Sequence, residues 1–334
     1  MKLSEIGEFG LIDLLTRDLV YDRSRVIVGA GDDAAVLKPD GDRWLLFTTD
    51  MMVEGVHFSF DYCSAEQVGK KALAVNVSDI AAMGGRPGHA VVSVALRPDL
   101  AVEKLNELYL GLKEAAREYG INIVGGDTVH SPERLVINVA LLGDVAAGRA
   151  VYRTGARPGD GVYVTGSLGA AAAGLYLYTH PDTACSTGAA AHCRGAHSEP
   201  VARLAAGQTL AGCGISAMDD ISDGLASEMH EICGASGTGC RIRAVDVPVD
   251  DRVREVAAVA GLDPLHWALF GGEDFELVFT AAPAAGDTVR EALLQIGVTV
   301  YRVGEITPAE EGLLLDAEDG IKPLLRGGYD HFNI

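Results

Sequence analysis

Apolar positions recur along the chain in two rhythms. Residues 101–119 carry Val102, Leu105, Leu108, Leu112, Ala115 and Tyr119 at helical spacing, closed by Gly120. Residues 65–83 set Ala72, Asn76, Asp79 and Met83 on one stripe, and Gly84-Gly85 followed by Pro87 stops it. A short helix is expected over 3–19, and others after Gly166-Ser167-Leu168-Gly169 and near 201–211, 222–233, 251–260 and 287–296. β-Branched runs predict strands at Val26–Val28, Trp44–Thr48, His89–Leu96, Ile121–Val124, Leu135–Leu142, Val162–Thr165 and Phe275–Thr280. Further strands are expected near 240–245 and 299–303, with a terminal hairpin. Residues 179–199, rich in Ala, Gly, Ser and His, carry little pattern and read as a surface insertion. Met51 to Phe60 reads as a loop carrying His57.

Helices and strands mix without steady alternation, so the expected class is α+β or mixed α/β, each domain a mixed sheet flanked by helices. Gly, Pro and charge concentrate between 146 and 160. That places a boundary between residues 1–148 and 149–334, and 334 residues suit two domains.

Charge narrows the partners. Lys plus Arg number 27 against 47 Asp plus Glu, a net charge of −20. Such a surface repels nucleic acid and anionic lipid, so neither is an expected partner. An anionic substrate needs metal ions or local arginines to approach. The six Cys form no Cys-x-x-Cys pair and read as free thiols. The first residues lack an apolar signal core and no run reaches membrane-spanning length, so the expected location is cytoplasmic.

Acid recurs at the ends of apolar runs. Gly31-Asp32-Asp33, Thr48-Thr49-Asp50, Gly125-Gly126-Asp127 and Asp219-Asp220-Ile221-Ser222-Asp223 each place carboxylates beside a strand or turn. Asp79 sits on a face otherwise made of Ala, Val, Ile and Met, where a lone carboxylate is costly. It must meet a cation, cap a backbone or bind metal. P-loop, dinucleotide, His-Glu-x-x-His and Gly-x-Ser-x-Gly signatures are absent. Asp33, Asp50, Asp79, Asp127, Asp220 and Asp223 thus form an oxygen-only donor set that suits several Mg²⁺ ions around a polyphosphate, or else serve as turn and cap residues. His57 reads as a packed histidine or a substrate contact. Arg153 reads as an ion-pair partner or a phosphate clamp. Lys71 fits a helix face or the same clamp, and Tyr329 fits stacking on a cationic heterocycle or terminal packing.

The combination of Gly7-Glu8-Phe9, Gly31-Asp32-Asp33-Ala34-Ala35, Gly55-Val56-His57-Phe58, the run from Lys71 to Gly84, Gly125-Gly126-Asp127-Thr128, Ile221-Ser222-Asp223-Gly224, Gly271-Gly272-Glu273-Asp274 and Gly328-Tyr329-Asp330-His331-Phe332 resembles the thiamine-monophosphate kinase family. The wider superfamily is similar to aminoimidazole ribonucleotide synthetase. The resemblance implies a homodimer using ATP as co-substrate and several Mg²⁺ ions to phosphorylate thiamine phosphate. It implies metal contacts at Asp33, Thr48, Thr49, Asp50, Asp79, Asp127, Asp220 and Asp223. It also implies nucleotide contacts at Tyr109, Gly126, Asp127, Arg153 and Ser222, and substrate contacts at His57, Glu273 and Tyr329. No residue is expected as a general base. The family's Arg-rich Pro-x-Pro-Arg stretch is represented here only by Arg194, Pro200 and Arg203 in loose order. Two other readings stand beside the kinase: a ligase-type relative that activates an amide or formyl oxygen, and a non-catalytic nucleotide-binding module.

Overall fold

A computed structural model describes residues 26–28, 31–38 and 41–329. The helix expected over 3–19, the Gly7-Glu8-Phe9 block and the ending Asp330-His331-Phe332 lie outside the described residues. Two sheets divide the chain. The first comprises β1 (Val26–Val28), β2 (Ala35–Leu37), β3 (Arg43–Val53), β4 (Arg86–Leu96), β5 (Asn122–His130) and β6 (Val136–Ala146), in the order β1-β2-β3-β6-β4-β5. Its pairs are antiparallel except β4 with β5. The second comprises β7 (Gly161–Thr165), β8 (Ala217–Asp220), β9 (Gly239–Arg243), β10 (Leu277–Ala281), β11 (Val300–Thr307), β12 (Leu313–Ala317) and β13 (Gly320–Pro323), in the order β13-β12-β9-β11-β7-β10-β8.

Helices Ala65–Ala82 and Val102–Tyr119 cover one face of the first sheet. Ser64 caps the former with its hydroxyl while Gln67 reaches back, satisfying two backbone donors. The alternation that predicts strands also sorts their faces: Ala90, Val92 and Val94 are buried in β4 while His89 and Val91 are exposed. The helix Leu204–Gly212 joins the halves by packing on Ala65–Ala82. A Cβ on Gly207 would lie 2.0 Å from the Ala81 carbonyl oxygen, so only glycine allows this approach.

Three expectations need correction. The segment 179–199 is not a surface insertion: Thr187–Ser198 is a helix that buries Ala189, Cys193, His197 and Ser198. Its small side chains hide the helical rhythm yet let it touch Ala170–Thr179, where a Cβ on Gly174 would meet the Cys193 carbonyl oxygen at 2.0 Å. The strand expected to stop at Val124 runs on to His130, so Asp127 lies within an edge strand. Likewise β3 continues past Thr48 to Val53, which places Asp50, Met51 and Met52 on a strand instead of in a turn and loop. The helix Pro264–Phe270, with Asp263 as its cap and Pro264 in its first turn, gave no periodic signal because it is only 7 residues long.

Candidate active site

Two sheets and three helices, Ala65–Ala82, Ala170–Thr179 and Thr187–Ser198, converge on a cavity of about 430 Å³ at the junction of the halves. From the first sheet, β3 contributes Thr49, Asp50, Met51 and Met52. The helix Ala65–Ala82 presents Lys71, Val75 and Asp79, four residues apart and therefore on one side. From the second half, β8 ends at Asp220, and the turn after it adds Ser222 and Asp223. Short hydrogen bonds tie these pieces together. The Thr48 hydroxyl donates to Asp79, Asn76 Oδ1 accepts the Asp50 amide at 3.1 Å, and Ser78 Oγ donates across the junction to Asp220 Oδ2 at 2.5 Å.

Around Asp220 the carboxylates crowd. Oxygens of Asp33, Asp219 and Asp220 lie within 4.8 Å of one another. Asp33 Oδ2 and both Asp219 carboxylate oxygens are buried without a hydrogen-bond partner among the described residues. One cation stands among them. Arg153 Nη2 donates to Asp33 Oδ1 at 2.5 Å, its Nε lies 3.0 Å from Asp219 Oδ2 without hydrogen-bond alignment, and its amide donates to Asp32 Oδ2 at 3.1 Å. One guanidinium does not offset this many acids. Burial, with Asp33 adding repulsion, raises the Asp220 carboxyl to about 8. Burial and Asp33 likewise raise Asp32 to about 7, and Asp50 rises to about 6, chiefly through burial. Asp79 and Asp219 are also pushed well above the usual range by burial. Unpartnered buried oxygens on clustered acids, with no sulfur or imidazole among them, fit a hard divalent cation.

A pH dependence follows. Near pH 7 the free cluster keeps protons that a bound cation must displace. Mg²⁺ affinity is therefore expected to rise between about pH 6 and about pH 8 as these raised carboxyls ionise. Calorimetry in buffers of different ionisation enthalpy should show proton release on binding. Binding that releases no protons would contradict the cluster's role.

Much of the remaining lining is apolar: Met52, Val56, Val75, Ala171, Leu175 and Phe275, together with Tyr329. Glu273 lines the same cavity. Lys71 Nζ meets its Oε1 at 2.7 Å, and His197 Nδ1 meets its Oε2 at 3.0 Å. Burial would raise this carboxyl, but Lys71 and His197 outweigh it and hold it down at about 2. Lys71 also donates to the His57 carbonyl at 3.1 Å. The strip bearing Glu273 is strained: Glu273 has φ +67° and Phe275 φ +48°, both rare without glycine. It is pinned to the acid turn by amide donations from Glu273 to Ser222 (2.6 Å) and from Phe275 to Ile221 (2.9 Å). Strain of this kind collects at functional sites. Lys71→Met, close in length but uncharged, is expected to cost about 2–3 kcal/mol by removing a charged hydrogen-bond partner. Urea denaturation checks this, and an unchanged midpoint would contradict it.

Of the residues singled out from sequence, the cavity brings together Thr49, Asp50, His57, Asp79, Asp220, Ser222, Asp223, Glu273 and Tyr329. Thr48 stands directly behind Asp79 and Asp33 belongs to the acid cluster. Arg153 is neither a surface ion pair nor a lining residue, being held between Asp33 and Asp219. Tyr109 packs half-buried against the first core. Asp127 is exposed on β5, and Gly126 beside it is opposed by Val92, whose carbonyl oxygen a Cβ would approach to 1.8 Å. None of these four lines the cavity. Sequence reasoning missed Asp219 and His197. Asp219 was visible as half of the Asp219-Asp220 pair, whereas nothing marked His197 within a weakly patterned segment.

Comparison with known proteins agrees with this architecture. Residues 31–145 match the AIR synthase related protein, N-terminal domain, and residues 157–315 match the AIR synthase related protein, C-terminal domain. The chain is therefore a member of the AIR synthase related family. Within it, the chain belongs with the thiamine-monophosphate kinases. It is 35% identical to thiamine-monophosphate kinase of Bacillus subtilis strain 168, over 98% of this chain and 100% of that one. It is 36% identical to the Escherichia coli K12 enzyme over 98% of each. A solved structure of AaThiL complexed with AMPPCP and TMP superposes with a TM-score of 0.87 at 34% identity, covering 99% of both chains.

Proposed function

We infer that the chain transfers the γ-phosphoryl group of ATP to thiamine phosphate, forming thiamine diphosphate. The observation that carries this is a single cavity lined both by carboxylates, among them Asp220 of the acid cluster, and by apolar side chains, on a chain of this kinase family. The apolar lining suits the two heterocycles of thiamine phosphate, and Tyr329 would stack on one of them. The acidic lining suits phosphates only when positive charge is supplied there. Asp33, Asp219 and Asp220 would hold Mg²⁺, with Asp50, Asp79 and Asp223 close by. Bound Mg²⁺ would neutralise phosphate oxygens and the charge that develops on transfer.

The acceptor is a phosphate oxygen, already largely ionised at neutral pH because its second pKa is about 6, so no general base is needed. His57 Nδ1 accepts the Val53 amide at 3.0 Å, and His197 Nδ1 meets Glu273 Oε2 at 3.0 Å. What the residues do is align: Lys71 and His197 fix Glu273, and Ser78 and Thr48 fix the acids. The transfer is read as direct and in line, without a phosphorylated residue. The test is incubation with ATP, Mg²⁺ and thiamine phosphate followed by chromatography. Thiamine diphosphate formed in step with ADP supports the reading. Release of inorganic phosphate instead would point to the ligase-type chemistry.

The remaining assignments belong to the same reading. Residues 1–148 and 149–334 serve as the two domains that close the cleft. Tyr109, Gly126 and Asp127 would serve a nucleotide extending along β5. The six free cysteines suit a cytoplasmic setting; among the described residues no helix is long and apolar enough to cross a membrane. A homodimer is favoured by the outer face of the first sheet, where Phe47, Met51, Val91, Val124 and Val129 are exposed. Sedimentation should show a dimer, and Phe47→Glu with Val91→Glu should yield monomers. A monomeric parent chain would refute this.

A further inference from the structure

A second cavity, about 690 Å³, opens in the C-terminal half and shares no lining residue with the first. Four arginines line it from four separate places: Arg203 before the helix Leu204–Gly212, Arg254 in Asp251–Ala260, Arg290 in Gly286–Leu294, and Arg302 in β11. The two acids on its wall are engaged by other residues. Asp246 pairs with Arg243 at 2.8 Å, and Asp250 takes both arms of Arg252 at 2.7 and 2.8 Å. Arg203 is forked by Glu276, with Nε to Oε2 at 2.7 Å. Arg302 approaches Glu305 at 3.9 Å and donates from Nε to the Gly304 carbonyl at 3.4 Å. Arg254 and Arg290 pair with no carboxylate among the described residues.

In a chain with 27 basic and 47 acidic residues, a cavity lined by four arginines gathers positive charge against the overall balance. Here two arginines without a carboxylate partner among the described residues and a weakly held third meet at one cavity. Guanidinium groups bind phosphate oxygens in pairs, and several of them match a diphosphate better than a single phosphate. The volume falls within the range of small-molecule sites and leaves room beyond the anion. Exposed Val245 and Tyr301 supply an apolar flank on the same wall.

We propose that this cavity binds the diphosphate group of a small molecule directly, without a metal ion. The contrast with the first cavity provides the test. An acid cluster stripped of divalent cations repels polyphosphate, whereas arginines need no metal. Calorimetry in EDTA with inorganic pyrophosphate, ADP and thiamine diphosphate, each titrated separately, therefore reads the arginine cavity. Binding of one ligand per chain is expected, weakening as salt is raised. The arm that binds tightest identifies what the diphosphate is attached to.

Arg254→Ala with Arg290→Ala should weaken that binding by roughly tenfold or more. It should leave thiamine phosphate turnover unchanged. Asp220→Asn should leave the metal-free binding intact. Arg290→Ala alone, at an exposed helix position, serves if the double variant melts early. Absence of metal-free binding in all three arms would overturn the proposal, as would binding untouched by the arginine variants or lost with Asp220→Asn. Because turnover is measured separately, failure here is distinct from failure of the kinase reading.

Discussion

Asp220→Asn is expected to cut phosphoryl transfer by roughly 10³ while making the metal-free protein harder to unfold at alkaline pH. The first half rests on the cluster. Asp220 is one of three acids whose oxygens lie within 4.8 Å, and Asn removes its charge while keeping its shape and its contact with Ser78. A metal ion supplies several kcal/mol of charge stabilisation, and each 1.36 kcal/mol is tenfold in rate. The second half follows from linkage. The folded carboxyl is raised to about 8 from an ordinary value of 3.8. Across that window the unfolded chain has released a proton that the folded chain still holds, so stability falls as pH rises. Asn does not titrate and avoids this loss. Thermal melts in EDTA at about pH 5.5 and about pH 8 should show the variant gaining relative to the parent at the higher pH. Near-normal turnover, or a variant that loses ground as pH rises, would contradict the assignment.

Arg153→Met is expected to destabilise the protein by about 3–5 kcal/mol, the cost of removing one partner from a buried ion pair. The Asp33 and Asp219 side chains are 1% and 0% exposed, so water cannot take over the role of the guanidinium. Asp219, already held above its usual range by burial, would lose the cation it shares with Asp33. Denaturant titration measures the loss, and Mg²⁺ should recover part of it by restoring positive charge at the same place. Arg153→Lys, which keeps the charge without the fork, should fall between. A loss under about 0.5 kcal/mol would mark Arg153 as an ordinary surface residue.

The sequence made some of this legible and hid the rest for physical reasons. Periodicity located the helices Ala65–Ala82 and Val102–Tyr119 because each packs one face on a sheet. The placing of Asp79 on an apolar stripe correctly announced a problem of charge, although its neighbours proved to be acids instead of a cation. Asp50 and Asp127 were read as ending strands, since Thr-Thr-Asp and Gly-Gly-Asp resemble turns. Cross-strand pairing carries both strands onward, and pairing is invisible in one strand's letters. His197 was hidden because Ala and Gly give a helix no apolar contrast while allowing its closest packing. The fork of Arg203 on Glu276 and the seat of Arg153 depend on contacts 73 and 120 residues apart. Such contacts belong to tertiary structure alone.

The account stands on the acids from both halves of the chain acting together as a cation site beside the substrate cavity. Diffraction from crystals grown with Mn²⁺ and a non-hydrolysable ATP analogue tests this directly, because Mn²⁺ replaces Mg²⁺ and scatters anomalously. The account predicts anomalous peaks in contact with Asp33, Asp219 or Asp220. Peaks found only elsewhere, with these three side chains still bound to nothing but Arg153 and Ser78, would contradict it.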